Sequence, residues 1–171
     1  MISNKGCLSR LVAYIDASFT IHPDDKEHSG LVIMCGHVAI MTLCCKQKIA
    51  TKDSTEEEMA ALSDYIKHVE WCQGHLKKRV FKLEDPVVYN DNQSTIRIIE
   101  NGKVKPLRNR HLTARCGVLN EFFNEDKYTK LRYKKTGEMI ADMSTKPLLG
   151  ALYWQFLRNI MGCSKFPKID P

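Results

Sequence analysis

A mixed α/β fold, one sheet with helices on its faces, is what the order of apolar patterns along this chain predicts. Three apolar, β-branched runs open the chain with turn residues between them, and amphipathic helical patterns then alternate with two further short strand-like runs. In addition, Asp16, Glu58, Asp91 and Asp142 each stand at the end of a strand or near the start of a helix. A mixed sheet gathers its functional groups along one edge at such positions.

Leu11 to Ile15 is a compact apolar run ending at Asp16, which reads as a buried strand followed by a polar loop. Gly30 to Cys35 and Val38 to Cys45 flank Gly36-His37, the pattern of a hairpin. Ser54 and Thr55 then precede a long helical pattern ending near Gly74. At about 100° per residue, Met59, Leu62, Tyr65, Ile66 and Val69 share an arc of roughly 120°, so this helix is amphipathic. Pro86 to Tyr89 predict a strand reaching Asp91, and Asn92 to Asn101 predict a helix stopped at Gly102. Leu107 to Phe123 predict a helix, Tyr128 to Tyr133 a strand, and Glu138 to about Thr145 a short helix. Gly150 to Met161 places Leu152, Phe156 and Ile160 four apart before Gly162, a terminal amphipathic helix. The sheet is therefore five-stranded, three antiparallel N-terminal strands and then two more, flanked by helices.

The 171 residues contain no Pro/Gly/Ser-rich linker and no internal repeat, which predicts one domain over residues 1–171 with its core at about 11–161. No apolar run approaches the roughly 20 residues that span a bilayer, and Met1 to Arg10 lack the apolar stretch of a secretory signal. An intracellular location is expected. Seven cysteines without a C-x-x-C pair read as small core residues rather than a disulfide framework or zinc ribbon. The net charge is +6, and residues 102 to 120 carry Lys103, Lys105, Arg108, Arg110 and Arg115 with no acid, a stretch suited to a polyanion.

Converging carboxylates are costly to bury unless a cation binds them, so the four acids point to divalent metal. Period-two alternation places Asp16 on the face of Val12 and Tyr14, and Asp91 on the face of Val87 and Tyr89. Of the run Glu56-Glu57-Glu58, helical phase puts only Glu58 within the apolar arc. The bland alternatives are a capping box formed by Thr55 and Glu58, a turn for Asp16, a helix cap for Asp91 and a solvent-facing position for Asp142. Asp64, His68, Cys72 and His75 share a flank of the long helix. Their span of about 16 Å at 1.5 Å per residue is too long for one ion, so they read as a polar flank. Trp71 and Trp154 read as packing residues.

The segments Tyr14-Ile15-Asp16-Ala17, Ser54-Thr55-Glu56-Glu57-Glu58-Met59-Ala60-Ala61-Leu62, Tyr89-Asn90-Asp91-Asn92-Gln93-Ser94, Arg110-His111 and Ala141-Asp142-Met143-Ser144-Thr145-Lys146-Pro147-Leu148 form an ordered set across residues 11 to 161. That set resembles the ribonuclease H domain of copia-type LTR retrotransposon Pol polyproteins. The resemblance implies an RNase H-like fold and carries a catalytic, metal-binding set onto Asp16, Glu58, Asp91 and Asp142, with Asp16 bridging two Mg²⁺ ions for which Mn²⁺ can substitute. It implies hydrolysis of the RNA strand of RNA/DNA hybrids, with the reverse transcriptase domain of the same polyprotein as partner, in the cytoplasm or within retroelement particles. The short lead before the first strand then fits a domain excised from such a polyprotein.

By the same analogy, Asn92 and Gln93 meet the RNA strand near the metals. Lys46, Lys48, Lys52, Arg108, Arg110 and Arg115 are the candidates for contacts to DNA-strand phosphates. Thr113 stands where the family usually has an aspartate and Cys116-Gly117 where it has Tyr-His, and no histidine follows His111 to act as the loop histidine of cellular type I enzymes. Those departures support an alternative, a catalytically decayed or repurposed module that binds nucleic acid or a partner protein. An integrase-type nuclease would need three acids at a different spacing.

Overall fold

The computed structural model describes residues 10–18, 27–47, 53–79, 82–102, 110–125 and 128–163. β1 (Arg10–Ser18), β2 (His28–Cys35) and β3 (Val38–Lys46) form an antiparallel meander. β4 (Glu84–Asn90) and β5 (Lys130–Tyr133) add parallel pairings, giving the sheet order β3-β2-β1-β4-β5. The five-stranded mixed sheet expected from the sequence is present. Gly36 turns the β2–β3 hairpin at φ 66°, a left-handed backbone conformation that glycine adopts without a Cβ clash.

Strand parity sorts the core into two layers. Leu11, Ala13 and Ile15 of β1 join Leu31 and Ile33 of β2 beneath α1 (Ser54–Lys78), which supplies Met59, Leu62, Ile66 and Val69. Val32 and Met34 face the opposite way, with Val12 and Tyr14, against Ile140, Ala141 and Phe156 of α5 (Gly150–Met161). Each fully buried Leu, Ile or Phe contributes about 1.5–3 kcal/mol, and a one-residue slip of β1 would turn its own Leu11, Ala13 and Ile15 to the wrong face, so its register is strongly fixed. α2 (Gln93–Asn101) and α3 (Arg110–Asn120) complete the α1 side, with Ile99, Leu112 and Leu119 in its core.

Several expectations are corrected. α1 continues past Gly74 to Lys78, because Leu76 still packs on the core and one interior glycine costs only about 1 kcal/mol. α3 passes into a π-helical turn, Glu121–Glu125, and its predicted first residues lie outside the described ones. The helix expected over Glu138 to Thr145 is instead a 3₁₀ turn, Thr136–Glu138, an extended Met139, and the four-residue α4 (Asp142–Thr145). Burial of Met139, Ile140 and Ala141 against the sheet overrides helix propagation there. Trp71 and Trp154 are 61% and 46% exposed rather than packed inside. Trp71 lies at about 120° on the wheel that starts at Met59, opposite the apolar arc; it stacks on His75 with centroids 5.2 Å apart.

Of the described cysteines, Cys35, Cys72 and Cys116 are buried as expected, whereas Cys44, Cys45 and Cys163 are exposed, and none of these is in a disulfide. Among the described residues no helix is long and apolar enough to cross a membrane.

Candidate active site

β1 and β4 are adjacent parallel strands whose last Cα partners are Tyr14 and Tyr89. Continuing that register by two residues sets Asp16 beside Asp91 at the carboxyl ends of both strands, on the face where Tyr14 and Tyr89 stack 5.5 Å apart. Asp16 is fully buried, and Asp91 follows β4 directly, where its Oδ2 accepts a 2.7 Å hydrogen bond from Thr136 Oγ1.

Glu58 arrives from α1. Asp53 is the N-cap of that helix and accepts from the backbone N–H groups of Thr55 and Glu56. The capping box considered for Thr55 and Glu58 is therefore replaced by an earlier cap, and the Glu58 side chain turns to the strand ends. Its Oε1 accepts from Ala17 N at 3.2 Å and its Oε2 from Asn90 Nδ2 at 2.7 Å. One ligand oxygen from each of Asp16, Glu58 and Asp91 lies within 4.8 Å of the others, the one such His/Cys/Asp/Glu group among the described residues. Helical phase was incomplete in one respect: Glu57 is also buried, because the helix start is covered on a second side, where Gln47 donates to the Glu57 carbonyl at 3.2 Å.

Asp142, the fourth predicted acid, is buried beside Asp16 but stands outside the three-carboxylate group. Its Oδ1 accepts from Lys146 Nζ at 2.9 Å, and the same ammonium lies 3.4 Å from Asp16 Oδ1. The i,i+4 spacing across α4 brings Lys146 back over Asp142. Thr145 donates its hydroxyl to Asp16 Oδ2. α4 can lie this close because Gly30, the cross-strand partner of Asp16, has no side chain. A Cβ there would meet Thr145 Cγ2 at 2.8 Å and the Ala141 carbonyl oxygen at 3.0 Å.

Burial raises the Asp16 pKa to about 7 despite the nearby Lys146 charge, with Asp142 and Asp91 adding to the rise and the Thr145 hydroxyl opposing it. Burial, then the Asp16 charge, holds Glu58 well above the usual carboxyl range, opposed by the Asn90 hydrogen bond. Asp142 is also raised by burial, with Lys146 opposing. For Lys146, burial works against the charge, but Asp16 and Asp142 outweigh it and raise the pKa. Burial thus makes these carboxyls reluctant to ionise, and the Lys146 ammonium does not offset it. The cluster's donors are carboxylate oxygens with no thiol or imidazole, and the Lys146 ammonium already stands in for a cation between two of them, so the residues fit a hard metal ion.

The predicted nucleic-acid contacts are spread over two regions. Asn92 and Gln93 line the cleft of about 440 Å³ that also holds Asp16, Glu58, Asp91 and Lys146. The Asn92 side-chain oxygen is already used, capping α2 through Ser94 N and Thr95 N. Lys46 and Arg115 line a second cavity, of about 740 Å³, with Lys67 and His68. Arg115 pairs with Asp64 at 2.6 Å and donates to the Ala60 carbonyl at 3.1 Å, fastening α3 to α1. Lys48, Lys52 and Arg108 lie outside the described residues, and of Arg110 only the backbone is described. In the helical flank set, Asp64 is taken by Arg115, Cys72 is buried and His75 stacks on Trp71, so they form no shared site.

Asn90, Thr145 and Lys146 were not singled out from the sequence as site residues. Asn90 is fully buried and links three elements: it donates to Glu58 and to the Ile15 carbonyl, and its Oδ1 accepts from Asn92 N at 3.0 Å. Next to Asp91 it reads in sequence as one more turn residue. The available signal was the Asp-x-x-Thr-Lys spacing, which places a hydroxyl and an ammonium one turn after Asp142.

No protein-family model matches the sequence. A retrovirus-related Pol polyprotein from transposon RE2 of Arabidopsis thaliana is 29% identical over 167 residues, 95% of this chain. The chain spans 11% of that relative's length. Among solved structures, LC11-RNase H1, isolated from compost by a metagenomic approach, superimposes with TM-score 0.59 at 19% identity, covering 80% of this chain and 93% of that one. The same enzyme in complex with an RNA/DNA hybrid gives TM-score 0.55 at 14% identity, covering 79% and 93%. The prototype foamy virus protease–reverse transcriptase gives 0.53 at 12% identity, covering 82% of this chain and 21% of that one. The chain has the ribonuclease H-like fold, and its homologues over 95% of its length are retrotransposon Pol polyproteins.

Proposed function

We propose that this chain is a metal-dependent endonuclease that hydrolyses the RNA strand of RNA/DNA hybrids during reverse transcription of a retroelement. The observation that carries this reading is the convergence of Asp16, Glu58 and Asp91 within 4.8 Å at one edge of an RNase H-like sheet. LC11-RNase H1, similar in fold, is solved with an RNA/DNA hybrid, which supports a hybrid as substrate, and the likeness to Pol polyproteins supports the retroelement setting.

Asp16, Glu58 and Asp91, with Asp142 beside Asp16, would hold Mg²⁺, or Mn²⁺ in its place. When bound, the metal lowers the pKa of an attacking water and stabilises the leaving 3′ oxygen. The protein's part is preorganisation. Asn90 and Ala17 N–H fix both oxygens of Glu58, Thr145 fixes Asp16, and Thr136 fixes Asp91. Burial of Asp16 excludes water around it, which strengthens the attraction of the site for a cation.

Gln93 and Asn92, which line the cleft, would meet the 2′-OH of the RNA strand. Lys46, Lys67 and His68 around the second cavity, with Arg115 adding charge, suit a phosphate of the DNA strand, as do Lys48, Lys52, Arg108 and Arg110 by sequence. The partner that fits a segment of a Pol polyprotein is the reverse transcriptase domain of the same chain. The test is strand-specific: a hybrid labelled on each strand, duplex DNA and single-stranded RNA, each with Mg²⁺ and with chelator. Cleavage confined to the RNA of the hybrid and abolished by chelator is expected; equal cleavage of duplex DNA would contradict it.

A further inference from the structure

Lys146 has no part in the hydrolysis described above, yet it lies in the site. Its ammonium is 2.9 Å from Asp142 Oδ1 and 3.4 Å from Asp16 Oδ1, and its side chain is 28% exposed. Asp142 and Asp16 come from different elements, α4 and β1, and the ammonium lies against both, beside the Thr145 hydroxyl that also reaches Asp16. Glu58 and Asp91, which complete the three-carboxylate group with Asp16, form no ion pair with a basic side chain among the described residues.

We infer that Lys146 is a tethered competitor for metal: the chain takes its first divalent cation at Asp16, Glu58 and Asp91, and a second cation at Asp16 and Asp142 must displace the ammonium. The inference rests on the metal-binding part of the proposed function. An ammonium on the residue that ends a short helix is an intramolecular counter-ion, present at high effective concentration whatever the solution contains. A divalent ion entering the Asp142 half therefore loses affinity by the cost of freeing Lys146. The lysine lines the open cleft with Asn92 and Gln93, so once displaced it lies where a phosphate of the substrate would sit. An anionic substrate gives it a new partner, and occupancy of the second site is thereby coupled to substrate binding.

Mn²⁺ binding to the whole chain, followed without nucleic acid by the loss of free Mn²⁺ electron paramagnetic resonance signal, tests this directly. Wild type is expected to bind one Mn²⁺ ahead of a much weaker second. Lys146→Met, which keeps the length and removes the charge, should tighten the second step at least tenfold, and Lys146→Arg should leave it weak. Should Lys146→Met fail to fold by circular dichroism, Lys146→Gln takes its place with the same expectation. An unchanged or weakened second step in the neutral variant would overturn the inference. Hybrid cleavage is scored separately: a chain that binds Mn²⁺ as described but never cuts hybrid would contradict the proposed activity and leave the role of Lys146 standing.

Discussion

Asn90 Nδ2 donates to Glu58 Oε2 at 2.7 Å, so a buried amide at the end of β4 sets the orientation of a carboxylate delivered by α1. The same amide reaches the Ile15 carbonyl, and its oxygen receives Asn92 N. Asn90→Ala would leave these partners unpaired inside the protein. The expected cost is about 1–3 kcal/mol of stability, read from urea denaturation. In single-turnover cleavage the chemical step should slow by tenfold or more with hybrid affinity little changed. Unaltered cleavage would mean that Glu58 needs no such support.

Gly30 tests how closely α4 must approach the sheet. Gly30→Ala puts a Cβ 2.8 Å from Thr145 Cγ2 and 3.0 Å from the Ala141 carbonyl oxygen, so α4 has to shift, carrying Asp142 and Lys146 with it. Overpacking of this kind costs about 1–3 kcal/mol. Thermal melts should show that loss, and cleavage should fall by more than the folded fraction explains. A variant with wild-type stability and activity would show that α4 can shift without cost to the site.

The carboxylates also predict a pH dependence. A carboxyl that titrates higher in the folded than in the unfolded chain keeps its proton over the window between, so the folded state gains from acidity there. For Asp16 that window runs from 3.8 to about 7, and the upward shifts of Glu58 and Asp142 have the same sign. In chelator, stability is therefore expected to fall as pH rises through this range, relative to an Asp16→Asn variant, by up to about 1.4 kcal/mol per pH unit for each proton released. Mg²⁺ should reduce the difference, since it binds the deprotonated carboxylates. A wild-type curve parallel to that of Asp16→Asn would contradict the buried, cation-seeking Asp16 described above.

Much of this site was legible before the structure, for physical reasons that differ by residue. Asp16 and Asp91 ended alternating apolar strands, and parallel pairing of β1 with β4 set them together. Glu58 separated from Glu56 by helical phase, but phase alone missed the burial of Glu57, which depends on what packs over the helix start. Trp71 was the reverse case: it was read as packing because no interleaved aromatic set accompanies it, but its helical phase lies opposite the apolar arc and it is exposed. Asn90 was hidden because its value lies in long-range hydrogen bonds to β1 and α1, which no local pattern encodes. The pairing of Asp142 with Lys146 required a four-residue helix, too short to leave a periodic signal.

The central claim is that these carboxylates hold metal for hydrolysis of a hybrid, and Asp91→Asn tests it most directly. Asp91 is the most accessible of the three grouped acids, so the change removes a ligand charge with little disturbance of the core. With an RNA-labelled hybrid in Mg²⁺, wild type is predicted to cleave the RNA strand. Asp91→Asn is predicted to bind the hybrid with similar affinity and to lose cleavage by at least a thousandfold. Cleavage by Asp91→Asn at the wild-type rate would contradict the account.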